Sequence, residues 1–151
     1  KGGDSRPWLN TPSIETAGKF SPDGKWIAYQ SNELGQSEIF LKPFVPGEPA
    51  SSGKRLLSTN GGTIPMWPRD GRELFYISLD QKLMAVEMTL AAEERSGNPK
   101  ELFSLTDRGA SASFGYAVTR DGKRFLLMTN LDETSLTPFT VLQNWMAEVK
   151  K

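Results

Sequence analysis

The 151-residue chain contains neither histidine nor cysteine. It therefore cannot build a Ser-His or Cys-His nucleophile pair, a zinc site of imidazoles or thiolates, or a disulfide. The missing disulfides leave the redox compartment open, since the cytoplasm and a Gram-negative periplasm both fit. Charge of one sign is missing as well: 18 lysines and arginines balance 18 aspartates and glutamates, so no net field draws nucleic acid or an anionic membrane. Short basic clusters such as Lys54-Arg55 read as solvated surface. No stretch approaches the roughly 20 apolar residues that a membrane helix needs. The most apolar runs, 74–77 and 83–86, are only strand length. The opening Lys1-Gly2-Gly3-Asp4 lacks the apolar core of a signal peptide and reads as a cut edge or a mature N-terminus.

What the chain does contain is repetition. Asp-Gly pairs recur at Asp23, Asp70 and Asp121, 47 and 51 residues apart, each in the same frame. A large apolar residue (Phe20, Trp67, Val118) and a polar linker precede the pair, and a basic residue (Lys25, Arg72, Lys123) and an apolar run follow it. A fixed period near 40–50 residues signals blades of a β-propeller, because one small sheet cannot bury both faces alone and must stack on copies of itself. Glycine accepts positive φ and aspartate caps its own backbone, so the pairs read as strand-to-strand turns and not as convergent cation ligands.

The expected fold is therefore all-β, a β-propeller of four-stranded antiparallel blades, with blades near residues 17–59, 63–104 and 113–143. In the first unit, 26–31 and 37–42 alternate around the turn 32–36, a Pro/Gly-rich loop follows, and 55–59 makes a short fourth strand. The second unit repeats this order through a turn at Asp80-Gln81 and a polar loop from Ala91 to Pro99. The third has only three strands. Residues 6–11 carry the pattern of an outermost strand without its own blade, and 144–151 read as a C-terminal tail with one helical turn at Trp145–Lys150. One orphan strand, two full blades and a final blade of three make three blades' worth of strands, offset by one. Propellers close by such a splice of the two chain ends, which leaves no long edge open.

The string Phe20-Ser21-Pro22-Asp23-Gly24-Lys25-Trp26-Ile27-Ala28-Tyr29, followed by Glu38-Ile39-Phe40-Leu41, resembles the TolB-like, WD-type propeller repeat. Gly61-Gly62 through Trp67, Asp70-Gly71 and Leu74-Phe75-Tyr76 to Val86, then Tyr116 through Leu126 and Val141-Leu142-Gln143-Asn144-Trp145, extend the likeness over about residues 6–150. Together they resemble the C-terminal part of propeller domains attached to bacterial membrane-anchored serine/threonine kinases. That resemblance implies a ring of about six blades, of which this chain is half, and a periplasmic or extracytoplasmic location. The second and third copies depart from Ser-Pro, carrying Pro68-Arg69 and Thr119-Arg120. No kinase signature occurs in the chain, so nothing catalytic carries over.

Other motifs fail on spacing or partners. Gly47 to Arg55 has five residues between its glycines and Arg55 where a phosphate loop needs Ser or Thr. Gly109-Ala110-Ser111-Ala112-Ser113 lacks the last glycine of a nucleophile elbow. The aromatics Trp26, Trp67, Phe20, Phe40, Phe75 and Phe114 recur at matching positions and read as packing between blades, whereas Trp8, near an end, reads equally as core or surface. Glu15, Arg69, Arg120 and Tyr116 flank the innermost strands and could line a channel mouth, but read first as ordinary surface. No catalytic, metal or cofactor-binding residue is assigned, and no cofactor is expected.

The sequence thus reads as a non-enzymatic binding or scaffold module, a sensor or protein-interaction segment whose ligand is a protein or a small extracellular molecule. A gating domain beside a hydrolase or peptidase domain, and a self-assembling structural half-propeller, are the alternatives. The expected partner is a second copy: a homodimer completing a six-bladed ring, with no nucleic acid and no membrane insertion by this segment.

Overall fold

The computed structural model describes residues 5–50, 53–89, 95–111, 115–129 and 139–143, with backbone alone at Arg95 and 139–143. They form three antiparallel sheets in chain order. Sheet I holds β1 (Glu15–Phe20), β2 (Trp26–Ser31), β3 (Glu38–Pro43) and β4 (Arg55–Leu56), each strand pairing with the next. Sheet II holds β5 (Thr63–Met66), β6 (Glu73–Ile77) and β7 (Lys82–Thr89). Its outer edge is shared by the short β8 (Arg95–Ser96) and β9 (Lys100–Ser104), both paired with β7. Sheet III holds β10 (Tyr116–Val118), β11 (Arg124–Met128) and β12 (Phe139–Gln143). The helical turn expected at 145–150 and the tail 144–151 lie outside the described residues.

Strand alternation decides how the sheets meet, since neighbouring side chains on a strand point to opposite faces. On β6, Leu74 and Tyr76 point back to sheet I and join Ala28, Ile39 and Leu41 in one buried cluster. Phe75 and Ile77 point forward and join Tyr116, Phe125 and Leu127 of sheet III in another. Counted from each Asp-Gly pair, Ile27, Leu74 and Phe125 are equivalent backward positions, and Ala28, Phe75 and Leu126 are equivalent forward ones. One sheet's forward face thus packs on the next sheet's backward face, twice over. Each large side chain fully buried in these layers contributes about 1.5–3 kcal/mol.

The two end faces of the stack differ. The backward face of sheet I, with Ile27, Tyr29 and Phe40, is covered by Trp8, Leu9 and Phe44. Trp8 stands edge-on to Tyr29 at 6.4 Å, and its carbonyl accepts from the Ala50 amide at 2.7 Å. Residues 6–11 form no sheet ladder among the described residues. Trp8 and Leu9 cover this face of sheet I, as Leu57 joins the layer against sheet II and Leu105 the layer against sheet III. Among the described residues nothing packs on the forward face of sheet III: Leu126 is 41% and Met128 38% exposed, whereas their counterparts Phe75 and Ile77 are 0% exposed.

The Asp-Gly turns share one bonding scheme. Gly24, Gly71 and Gly122 have φ of 72°, 66° and 69°. The aspartate Oδ1 accepts the amide two residues on, that of Lys25, Arg72 or Lys123, at 3.1 Å in each case. In the first and third turns a hydroxyl also donates to it, Ser21 Oγ at 2.6 Å and Thr119 Oγ1 at 2.5 Å. The Thr119 hydroxyl, then the Lys123 amide, hold the Asp121 carboxyl below the usual carboxylate range. Ser78 and Asp80 repeat the device at the opposite end of sheet II, with Gln81 at φ 61° in the place of glycine.

A buried carboxylate joins sheets I and II. Glu38, 5% exposed, accepts from Gln36 Nε2 at 2.6 Å, from the Gly61 amide at 2.9 Å, and from the Ser58 hydroxyl. Ser58 Oγ in turn accepts the Ile39 amide at 2.7 Å. Next to it the chain crosses between sheets at Gly62, where a Cβ would stand 2.8 Å from Ile39 and 3.0 Å from Tyr76. Only glycine fits that approach.

Candidate functional site

The inner strands bring the site together. Ala17 and Ile64 have φ of 54° at bulges in β1 and β5, and Gly115, just before β10, has φ 79°. Each lies four residues before the residue that opens its turn (Ser21, Pro68, Thr119). A bulge adds a residue to one strand and increases its twist. Holding a non-glycine residue there costs about 1–2 kcal/mol, and two of the three units carry that strain.

Past the kinks, the three Asp-Gly turns meet at one end of the stack around a cleft of about 520 Å³. Phe20 and Pro22 come from the first turn, Trp67, Pro68 and Arg69 from the second, and Val118 and Arg120 from the third. The Arg69 amide donates to the Arg120 carbonyl at 2.9 Å, which joins the second and third turns. Both arginine side chains are exposed, and neither forms an ion pair among the described residues. Lys25, Arg72 and Lys123 follow the three aspartates of the turns outside the cleft lining, and Glu73 stands near both Asp70 and Glu87. The cleft itself carries the two exposed arginines over an apolar floor.

A larger groove of about 730 Å³ lies along the β6–β7 turn and β9. Its one cation is already engaged, Lys82 pairing with Glu101 at 2.8 Å and Asp80 at 3.3 Å. A third groove, of about 400 Å³, runs along the backward face of sheet I, past Trp8, Glu15, Ile27 and Tyr29.

Of the four residues weighed for a channel mouth and read first as surface, the structure brings Arg69 and Arg120 together and separates the other two. Glu15 lines the sheet I groove and accepts from the Thr11 hydroxyl. Tyr116 is core, 7% exposed between sheets II and III, with burial pushing its hydroxyl well above the ordinary range. The aromatics divide likewise. Phe40 and Phe75 are buried and Trp26 and Trp67 pack against the layer between sheets I and II, but Phe20 is 56% exposed, because no sheet stands behind sheet I. Trp8 is half-buried against Tyr29 and Phe44. Phe114 lies outside the described residues. Lys54, beside the rejected phosphate loop, pairs with Glu33 and lies over the Phe40 ring. Among the described residues no group of three or more acidic side chains could hold a metal ion, and no helix is long and apolar enough to cross a membrane.

The class defined by these observations is all-β, built of successive antiparallel sheets stacked face to face. No known family profile matches the chain, and no curated protein does. Among solved structures it is similar to a putative 6-phosphogluconolactonase from Bacteroides uniformis, at 16% identity and a TM-score of 0.52. That match covers 92% of this chain and 44% of the other, and what the two share is the fold. TolB from Acinetobacter baumannii aligns at 16% identity and a TM-score of 0.47, over 90% of this chain and 42% of its own. The chain spans less than half the length of either structure.

Proposed function

We propose that the chain is a three-blade wedge of a β-propeller that acts as a non-enzymatic binding module, and that two copies close head to tail into a six-bladed ring. The observation that carries this reading is the repeated interface: forward face on backward face, twice, with one of each left at the ends. Trp8 and Leu9 cover the backward face of sheet I, and among the described residues sheet III has three strands where sheet I has four. In the proposed ring, the N-terminal segment of one copy finishes the last blade of the other, and the two-fold operation leaves no edge. The TolB-like repeat in the sequence supports the same reading. An extracytoplasmic location, and a sensor role, rest on that resemblance alone. The binding role rests on a rigid stack that presents turns from three units to one cleft, in a chain without histidine or cysteine.

Light scattering on the chain is expected to give twice its 16.7 kDa mass. Deleting residues 1–11 is expected to yield monomer or aggregate. A well-folded monomer at high concentration, unchanged by that deletion, would overturn ring closure.

A further inference from the structure

We infer that the turn-end cleft binds an acidic peptide segment, its carboxylates on Arg69 and Arg120 and an apolar neighbour against Trp67 and Val118. The inference rests on the reading of the chain as a binding module and does not depend on ring closure.

Three features of the cleft select this chemistry. First, the Arg69 and Arg120 side chains have no ion-pair partner among the described residues, although their backbones are bonded to each other. A planar guanidinium presents paired donors that match a carboxylate, and two adjacent ones can hold one or two such groups. Second, the glycine amides of the turns and those that follow them are engaged within the turns. Gly71 donates to Pro68 and Gly122 to Thr119, while Arg72 and Lys123 donate to the aspartates. Asp70 and Asp121 beside the arginines would repel a phosphate dianion more than a single carboxylate. Third, the floor is apolar: Trp67, Val118 and Pro68 line the same cleft, so a ligand gains by placing a hydrocarbon side chain next to its acid. An extended peptide turns side chains i and i+2 to the same face, so one with an apolar residue two positions from its acidic residues offers both groups to the cleft. Sequence supports the placement, because the arginines occur in the two units whose turns face each other, while the first unit has Pro22 there.

The test is isothermal titration of the chain with the capped hexapeptide Glu-Glu-Phe-Leu-Glu-Glu, which in extended form carries an apolar side chain between two carboxylates on each face. Its glutamine counterpart and inorganic phosphate are titrated alongside. The acidic peptide is expected to bind at least about tenfold more tightly than the neutral one, with affinity falling as salt rises. Arg69→Gln and Arg120→Gln are each expected to weaken it about tenfold and the double variant to abolish it, while Lys25→Gln stays within about twofold. Circular dichroism and mass measured on the same samples separate loss of the site from loss of fold or assembly. Equal binding of the two peptides, no binding at millimolar peptide, full affinity in the double variant, or phosphate displacing the peptide at equal concentration would each overturn the assignment.

Discussion

Phe125→Ala is expected to lower the free energy of unfolding by about 3–5 kcal/mol. The ring is 0% exposed at the centre of the layer between sheets II and III. It meets Phe75 edge-on at 4.9 Å, Phe103 at 6.0 Å and Tyr116 at 6.4 Å. Truncation leaves a cavity walled by three aromatic rings, each fixed by its own strand, so collapse around the void is limited. Against a typical total of about 5–15 kcal/mol, the variant would be folded but marginal. Urea denaturation checks this: the midpoint falls and the slope stays. A loss below about 1 kcal/mol would contradict the packing of sheet III on sheet II, since a ring buried in this way cannot be removed cheaply.

Glu38→Gln is expected to cost about 3 kcal/mol, although it changes almost no volume. The carboxylate accepts from three donors: the Gln36 amide group, the Ser58 hydroxyl and the Gly61 backbone N–H. A carboxamide has one acceptor oxygen and sets its own N–H₂ against a donor. At least one buried donor then goes unpaired, and Ser58, which also takes the Ile39 amide, loses its orientation. For a domain of this size the melting midpoint should drop by roughly 6–12 °C. An unchanged midpoint would mean that the network does not bridge the crossing between sheets I and II.

The parts of the fold legible in the sequence are those that depend on a residue type with no substitute. Asp-Gly marks the three turns because positive φ at the second position selects glycine, and the apolar run after each turn marks the two buried faces of β2 and β6 and the one buried face of β11. The kinks at Ala17 and Ile64 were not legible, since alanine and a β-branched residue carry no signal of left-handed backbone. Gln81 hides the fourth such turn for the same reason. The outer strand expected over 55–59 ends at Leu56 because the Ser58 hydroxyl, not a backbone carbonyl, takes the Ile39 amide. The short β8 arises inside the polar loop expected at 91–99.

For the site, the arginines were visible as departures from the Ser-Pro pattern, but their pairing was not. It depends on the Arg69–Arg120 backbone bond between two sheets, which no local pattern encodes. Tyr116 reads first as surface because its counterparts in the repeat, Gly18 and Pro65, give no hint of a large buried side chain. Its own strand parity, opposite Leu127, is what buries it.

The proposed ring makes a specific pair of residues neighbours across the copies. Within the chain, Ala28 and Trp67 share the layer between sheets I and II, and Phe75 and Val118 share the layer between sheets II and III. The next pair in that series is Leu126 of one copy and Phe20 of the other, 41% and 56% exposed in the single chain. Because the chain has no cysteine, Leu126→Cys and Phe20→Cys can be mixed and treated with a short bis-maleimide. The account predicts a covalent pair of one copy of each variant, and little cross-linking of either variant alone. Cross-linking that pairs Leu126→Cys with itself as readily as with Phe20→Cys, or no mixed product at all, would contradict it.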